Sequence, residues 1–280
     1  MQKQLWIDYV FHKQVKRELA YTYDMDRRAV RSLLDTYTPP NKTHNPRPIH
    51  LIVDGTYWGE RTEETNWCSI LARDPYAKED LSWSFPKTET TSAYRQIRDE
   101  LEQLGYTILS VTADGFGGIK QAFSGIPYQM CQVHMERMVI KGTTRNPILE
   151  AGIVLLALVR SLYDTDSNTF HTRLTKYIEA YRTFLNEKST NLFTGESYWT
   201  HQELRKATLS LMAFEKYLFT YEQNRKIPKT SNSIEGHFSH INDILGVHRG
   251  LSRAHKEKVL HTIFLLGTIA PKERDVDGLL

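Results

Sequence analysis

The stretch from Pro48 to Cys131 constrains the fold most. Three short runs, His50-Leu51-Ile52-Val53, Trp67-Cys68-Ser69-Ile70-Leu71 and Leu81-Ser82-Trp83-Ser84-Phe85, are separated by turn residues and predict a meander of antiparallel strands. Residues 91–104 then take helical spacing through Tyr94, Ile97, Leu101 and Leu104, and Gly105 stops the helix. A buried strand is expected at 106–113, a short helix at 117–123, a fifth strand at 127–131, and a helix from Val133. The order βββ-α-β-α-β-α is not that of a doubly wound sheet. It predicts an α/β mixed sheet, three antiparallel strands and then βα units.

The flanks divide the chain further. Residues 1–38 read as helical and end at Thr38-Pro39-Pro40; 39–48, with four prolines, read as an extended linker. Residues 49–140 form the first part of the core, and 141–228 an all-helical insertion with almost no strand signal. In that insertion Pro147 is expected at the first helical position, and Asp166-Ser167-Asn168 is expected to cap a helix with Phe170, Leu174 and Tyr177 on its apolar face. Residues 229–280 return to the core with two helices, one through Leu245 and one over 253–266.

Composition excludes several classes. The 280 residues carry 25 % charged and 11 % aromatic side chains, which excludes a disordered or fibrous chain. The 2 Cys exclude a disulfide framework and a four-Cys zinc site. The opening MQKQLWIDYV lacks a signal-peptide pattern, and the most apolar run, 148–162, is too short to span a membrane. A soluble intracellular protein is expected. Net charge is only +3, yet basic residues gather near both ends, which suits a polyanionic partner.

Two carboxylates close the two best strands: Asp54 before Gly55, and Asp114 before Gly115. An apolar strand holds an acid rigidly at its end, and the following Gly lets the backbone turn away from a ligand. A third acid, Glu235, lies one turn inside the helix that Ser231-Asn232-Ser233 opens. Three convergent carboxylates repel one another unless hard cations such as Mg²⁺ or Mn²⁺ neutralise them, and a pair of such ions can drive phosphodiester chemistry. The alternative is that both Asp-Gly pairs are ordinary turns and Glu235 a solvated helix residue.

Asp54-Gly55-Thr56-Tyr57-Trp58, Thr112-Ala113-Asp114-Gly115, Cys131-Gln132-Val133-His134 and Ser231-Asn232-Ser233-Ile234-Glu235-Gly236 occur in that order. From about Ile49 to about Leu266 the chain resembles the DDE transposases of bacterial insertion sequences, in the branch related to Mutator-like elements. The resemblance implies an RNase H-like fold with Asp54, Asp114 and Glu235 as the catalytic triad. It further implies two divalent ions, Mg²⁺ or Mn²⁺, on those acids, and cleavage at transposon ends followed by joining of the 3′-hydroxyl to target DNA. Cys131, His134 and Asn232 would support the active site. The partners implied are double-stranded DNA and further copies of the chain in a homo-oligomer, in the bacterial cytoplasm and nucleoid, with no membrane. Relatives often carry further DNA-binding modules before this point, so a shortened copy is one expectation.

Other readings stay open. Cys131 and His134 could be zinc ligands, though only Cys68 remains as a second thiol, or simply a buried hydrogen-bonded pair. Residues 16–33 have helix-turn-helix spacing, with Asp24 where Gly is favoured and Asp26 as a cap; Arg27, Arg28 and Arg31 would then face DNA. The same segment could instead be a helical hairpin packed on the core. Trp58, Trp67 and Trp83 are expected in packing, or in stacking on a flipped base. His248 and Arg249 could grip phosphate or belong to a capped turn. Two non-transposase readings remain: a decayed or domesticated DNA-binding protein without catalysis, and a structure-selective nuclease on the same fold.

Overall fold

The computed structural model describes residues 1–59, 65–248 and 250–266. Three helices come first: α1 (Gln2–Val10), α2 (Lys16–Thr22) and α3 (Arg27–Thr36). The proline-rich segment after them is irregular. Then follow β1 (Pro48–Trp58), β2 (Trp67–Asp74), β3 (Glu79–Ser84), α4 (Thr91–Gln103), β4 (Thr107–Ala113), α5 (Gly117–Ala122), β5 (Tyr128–Met130) and α6 (Gln132–Thr143). The rest is α7 (Glu150–Arg160), α8 (Ser167–Leu185), β6 (Lys188–Thr190), β7 (Ser197–Trp199), α9 (Gln202–Leu218), α10 (Asn232–Val247) and α11 (Arg253–Leu266).

The fold is a mixed α/β fold, as expected, with a five-stranded sheet in the order β3-β2-β1-β4-β5. β1 with β2 and β2 with β3 are antiparallel, and β4 with β5 is parallel. By its packing the chain forms two compact units, one of residues 1–107 with 232–280 and one of residues 108–231. Residues 141–228 lie in the second of these units, with α5, β5 and α6.

In the first unit every residue of β2 is buried, so both of its faces are covered. On one side, Ile52, Trp58, Trp67 and Leu71 join a core with Ile234, Phe238 and Ile241 of α10 and Val259, Leu260 and Ile263 of α11. Leu5, Trp6, Leu19, Val30 and Leu34 of the first three helices enter the same core, so the amino-terminal helices are part of this unit. α4 packs against β2 and β3, with Tyr94, Ile97 and Leu101 buried.

In the second unit α6, α7, α8 and α9 pack on one another, and α9 also packs on β5. The Gln129 amide donates to the Leu218 carbonyl at 2.9 Å, and its oxygen accepts from the Tyr221 N–H at 3.0 Å, which fixes β5 to the end of α9. Asp166 caps α8 by accepting from the Thr169 N–H, as its sequence predicts.

Two local expectations are corrected. α7 starts at Glu150, not at Pro147, because Leu149 is extended and Pro147 folds back over the first turn. Gly152 leaves room for that ring: a Cβ there would lie 3.1 Å from the Pro147 Cβ. The insertion also holds a hairpin, with Lys188 opposite Trp199 and Thr190 opposite Ser197. Its strands have three residues each, too short for a period-2 signal; Lys188 and Arg205 over the Trp199 ring, at 4.6 and 4.3 Å, hold it in place.

Candidate active site

Asp54 does not close its strand as expected but sits near the middle of β1, because Gly55 continues the ladder opposite Ile70 and the strand runs on to Trp58. Side chains alternate along a strand, so Asp54 shares a face with Ile52 and Trp58, the face that joins the α10 core. It is 9 % exposed, and its Oδ1 accepts the Gly55 N–H at 2.9 Å. α10 packs against β1 and buries Ile234, Phe238, Ile241 and Leu245 in one stripe. Glu235 borders that stripe; it is half-buried, and its Oε1 is shut off from solvent. Two of the three expected acids thus belong to one strand–helix pair. Asn232 opens α10 and is exposed.

Sequence reasoning missed another carboxylate here. Glu89 lies against the opposite face of β1: a Cβ on Gly55 would meet its Oε1 at 2.8 Å, and its Oε2 accepts the Tyr94 hydroxyl at 2.6 Å. The acid sits in a loop without strand or helix periodicity, so only the contact with Gly55 identifies it. Sequence reasoning also missed a buried polar group formed by Arg73, Asp80, Ser233 and His237. Its one sequence signal is an arginine closing the apolar run Ser69-Ile70-Leu71-Ala72.

In the second unit Asp114 follows β4 and is half-buried; its Oδ1 accepts the Phe116 N–H at 2.9 Å, closing a turn. The Tyr128 hydroxyl donates to the Asp114 carbonyl. Beside it Gly115 faces the Phe214 ring and the Met138 sulfur, where a Cβ would come within 3.1 and 3.3 Å.

Cys131 links β5 to α6. Its N–H donates to the Ala113 carbonyl at 2.8 Å, and its sulfur accepts the Ser231 N–H and hydroxyl, both at 3.2 Å. The same Ser231 hydroxyl lies 3.2 Å from His134 Nδ1. Burial alone pushes the Cys131 thiol up, but hydrogen bonds from His134 and Ser231 outweigh it and bring the thiol below its ordinary value. Cys68, in the first unit, is the reverse case. Burial and then the Glu89 charge push its thiol up to about 12, so it remains a protonated core residue at neutral pH.

The candidate DNA contacts divide. Arg27, Arg28 and Arg31 are exposed on α3, and Arg31 Nε lies 3.4 Å from the Asp35 carboxylate. Asp26 caps α3 by accepting the Arg28 N–H at 2.6 Å, and Asp24 in the preceding turn has φ +48°, the conformation for which glycine is favoured. His248 is placed differently from a phosphate contact on the surface. It is 6 % exposed, stacks on Tyr9 at 4.0 Å between centroids, and its Nε2 lies 2.8 Å from the Tyr9 carbonyl. Arg249 lies outside the described residues. Trp58 and Trp67 are buried core residues, and Trp83 is half-buried with its N–H 3.1 Å from His261 Nδ1.

Among the described residues no helix is long and apolar enough to cross a membrane. No protein-family description and no curated protein matches the sequence. Among solved structures, the Drosophila P element transposase strand transfer complex is similar over 98 % of this chain and 93 % of that one, at 9 % identity and a TM-score of 0.44. The simian T-cell lymphotropic virus intasome, in complex with PP2A regulatory subunit B56 gamma, is similar over 73 % of this chain and 72 % of that one, at 14 % identity and a TM-score of 0.26.

Proposed function

We propose that the chain is a divalent-metal-dependent DNA transposase that cleaves DNA at transposon ends and joins the 3′-hydroxyl to target DNA. Asp54, Asp114 and Glu235 are its catalytic carboxylates, double-stranded DNA is its partner, and it works as a homo-oligomer on that DNA. The observation that carries this reading is the pairing of Asp54 with the α10 interface, on a strand face next to a helix whose acid, Glu235, is half-buried. An acid placed for solubility would point into water. These two border the core.

The donors fit the implied ions. Carboxylate oxygens are hard ligands, the chemistry that selects Mg²⁺ or Mn²⁺ over softer metals. When bound, such ions neutralise the acids and activate water or a 3′-hydroxyl against phosphorus. The protein's own part is orientation: the Gly55 N–H fixes the Asp54 carboxyl, and the Phe116 N–H fixes that of Asp114. Asp54→Asn, Asp114→Asn or Glu235→Gln should each lower Mg²⁺-dependent strand cleavage at least 100-fold while leaving duplex affinity within about threefold. Cleavage at the parent rate by any of them removes that residue from the mechanism.

A second reading has its own observation. The capped α3 displays Arg27, Arg28 and Arg31 to solvent, which suits DNA binding without catalysis. A nicking assay in Mg²⁺ or Mn²⁺ separates the two, and a strand-transfer assay separates a transposase from a nuclease that only cuts.

A further inference from the structure

The first unit contains an ionic cluster closed off from solvent. Arg73 of β2 donates from a terminal nitrogen to Asp80 of β3 at 2.5 Å, with side chains 2 % and 0 % exposed. The other Asp80 oxygen lies 2.6 Å from Nε2 of His237, where both side chains are fully buried. A ring nitrogen at this distance from a carboxylate oxygen is within hydrogen-bond reach. Arg73 also donates from Nε to the Ser233 hydroxyl at 3.0 Å. Strand geometry is altered to make this cluster. The β2–β3 register runs Leu71–Trp83, Ala72–Ser82, then Arg73–Asp80, so Leu81 is an extra residue on β3. Regular alternation would put Asp80 on the Ser82 side; the bulge returns it to the side of Trp83 and Leu71, which faces the α10 core.

Burying an ion pair gains little stability over apolar side chains of the same shape, but its hydrogen bonds are directional. The apolar stripe of α10 tolerates small rotations of the helix about its axis. Ser233 and His237 do not, because each must meet a fixed partner. At 100° per residue they lie about 40° apart on one edge of the buried face, while Glu235 lies about 160° from each, on the other edge. A rotation of about 10° moves a carboxylate at about 5–6 Å from the axis by about 1 Å. A misplacement of that size in a catalytic group costs up to about 100-fold in rate.

We propose that the Arg73–Asp80–His237 cluster with Ser233 is a positioning device that sets the rotation of α10 and so aims the Glu235 carboxylate. The proposal rests on the reading of Glu235 as a catalytic acid. None of the four residues need touch DNA or metal; they act through the helix.

The test compares His237→Phe, Ser233→Ala and His237→Gln with the parent chain, by single-turnover cleavage of duplex DNA in Mn²⁺, duplex affinity and thermal unfolding. His237→Phe keeps a ring in the space, Ser233→Ala removes only the acceptor for Arg73, and His237→Gln restores an N–H donor towards Asp80. The expected result is a 10- to 100-fold slower cleavage step in His237→Phe and Ser233→Ala, affinity within twofold, and recovery to within about fivefold of the parent in His237→Gln. Unchanged rates in folded His237→Phe and Ser233→Ala overturn the proposal. So do rates that fall only in step with the folded fraction, or a glutamine variant no better than the phenylalanine one. If the parent chain cuts no DNA, the transposase reading fails, and the device is judged by amide hydrogen exchange. Faster exchange in His237→Phe confined to the first two turns of α10 supports it, and exchange that is unchanged or raised throughout the unit overturns it.

Discussion

Replacing Gly55 by alanine tests the account of β1 closely, because the outcome depends on one neighbour. A Cβ at Gly55 would lie 2.8 Å from both Cδ and Oε1 of Glu89 and 3.2 Å from Oε2. Carbon contacts are normally about 3.5–4.0 Å, so the Glu89 carboxylate must retreat by about 1 Å. That movement breaks or stretches the 2.6 Å hydrogen bond from Tyr94. A hydrogen bond to a charged group contributes about 1.5–3 kcal/mol, reduced here to about 1–2 because the half-buried Glu89 regains water. Alanine in place of a strand glycine returns about 0.5–1 kcal/mol by reducing the freedom of the unfolded chain. Gly55→Ala alone should therefore cost about 0–1.5 kcal/mol. In a Glu89→Ala background the same substitution should stabilise by about 0.5–1 kcal/mol. Urea unfolding of the four proteins, followed by tryptophan fluorescence at constant m, gives the coupling directly, expected at about 1–2 kcal/mol. Equal effects of Gly55→Ala in both backgrounds would refute the placement of Glu89 against β1.

The amino-terminal helices give three further tests. Replacing Arg27, Arg28 and Arg31 by alanine should weaken duplex binding and flatten its salt dependence, by about one unit of log–log slope for each phosphate no longer neutralised, as titrations across salt concentration would show. Lys258 Nζ donates to the carbonyls of Leu34, Asp35 and Tyr37 at 2.5, 3.0 and 3.0 Å, so Lys258→Met should cost about 1–2 kcal/mol and speed hydrogen exchange at the end of α3. Burial, then the hydrogen bond to Asp8 at 2.6 Å, pushes the Tyr23 phenol up to about 12. A raised folded pKa gives stability that is complete below about 10 and lost as pH rises through about 12, so Tyr23→Phe should remove that alkaline loss, read as melting temperature against pH.

What was legible in the sequence was local. The five core strands follow from runs of apolar residues bounded by turns, and α11 occupies 253–266 as expected, because a single element's burial imprints its own period. Caps at Asp26 and Asp166 depend only on residues two or three positions away. That Asp54 lies on a strand and Glu235 on a helix follows from each element's own pattern, whereas the packing of α10 against β1 is a tertiary contact.

Asp80 shows why the rest was not legible. In Glu79-Asp80-Leu81-Ser82-Trp83, alternation assigns Leu81 and Trp83 to one face and sends Asp80 to the other, the reading any solvated strand acid invites. One extra residue reverses that assignment for Asp80 without leaving a mark in composition. Its partners are Arg73 on the neighbouring strand and His237 on a helix 157 positions away. A charge on such a strand is read correctly only once its counter-ion is known, and the counter-ion is chosen by tertiary packing. The acids that sequence order singles out stand in motifs whose neighbours are adjacent in the chain. The partners of Asp80 are distributed through the core, where periodicity describes what is apolar and says nothing about direction.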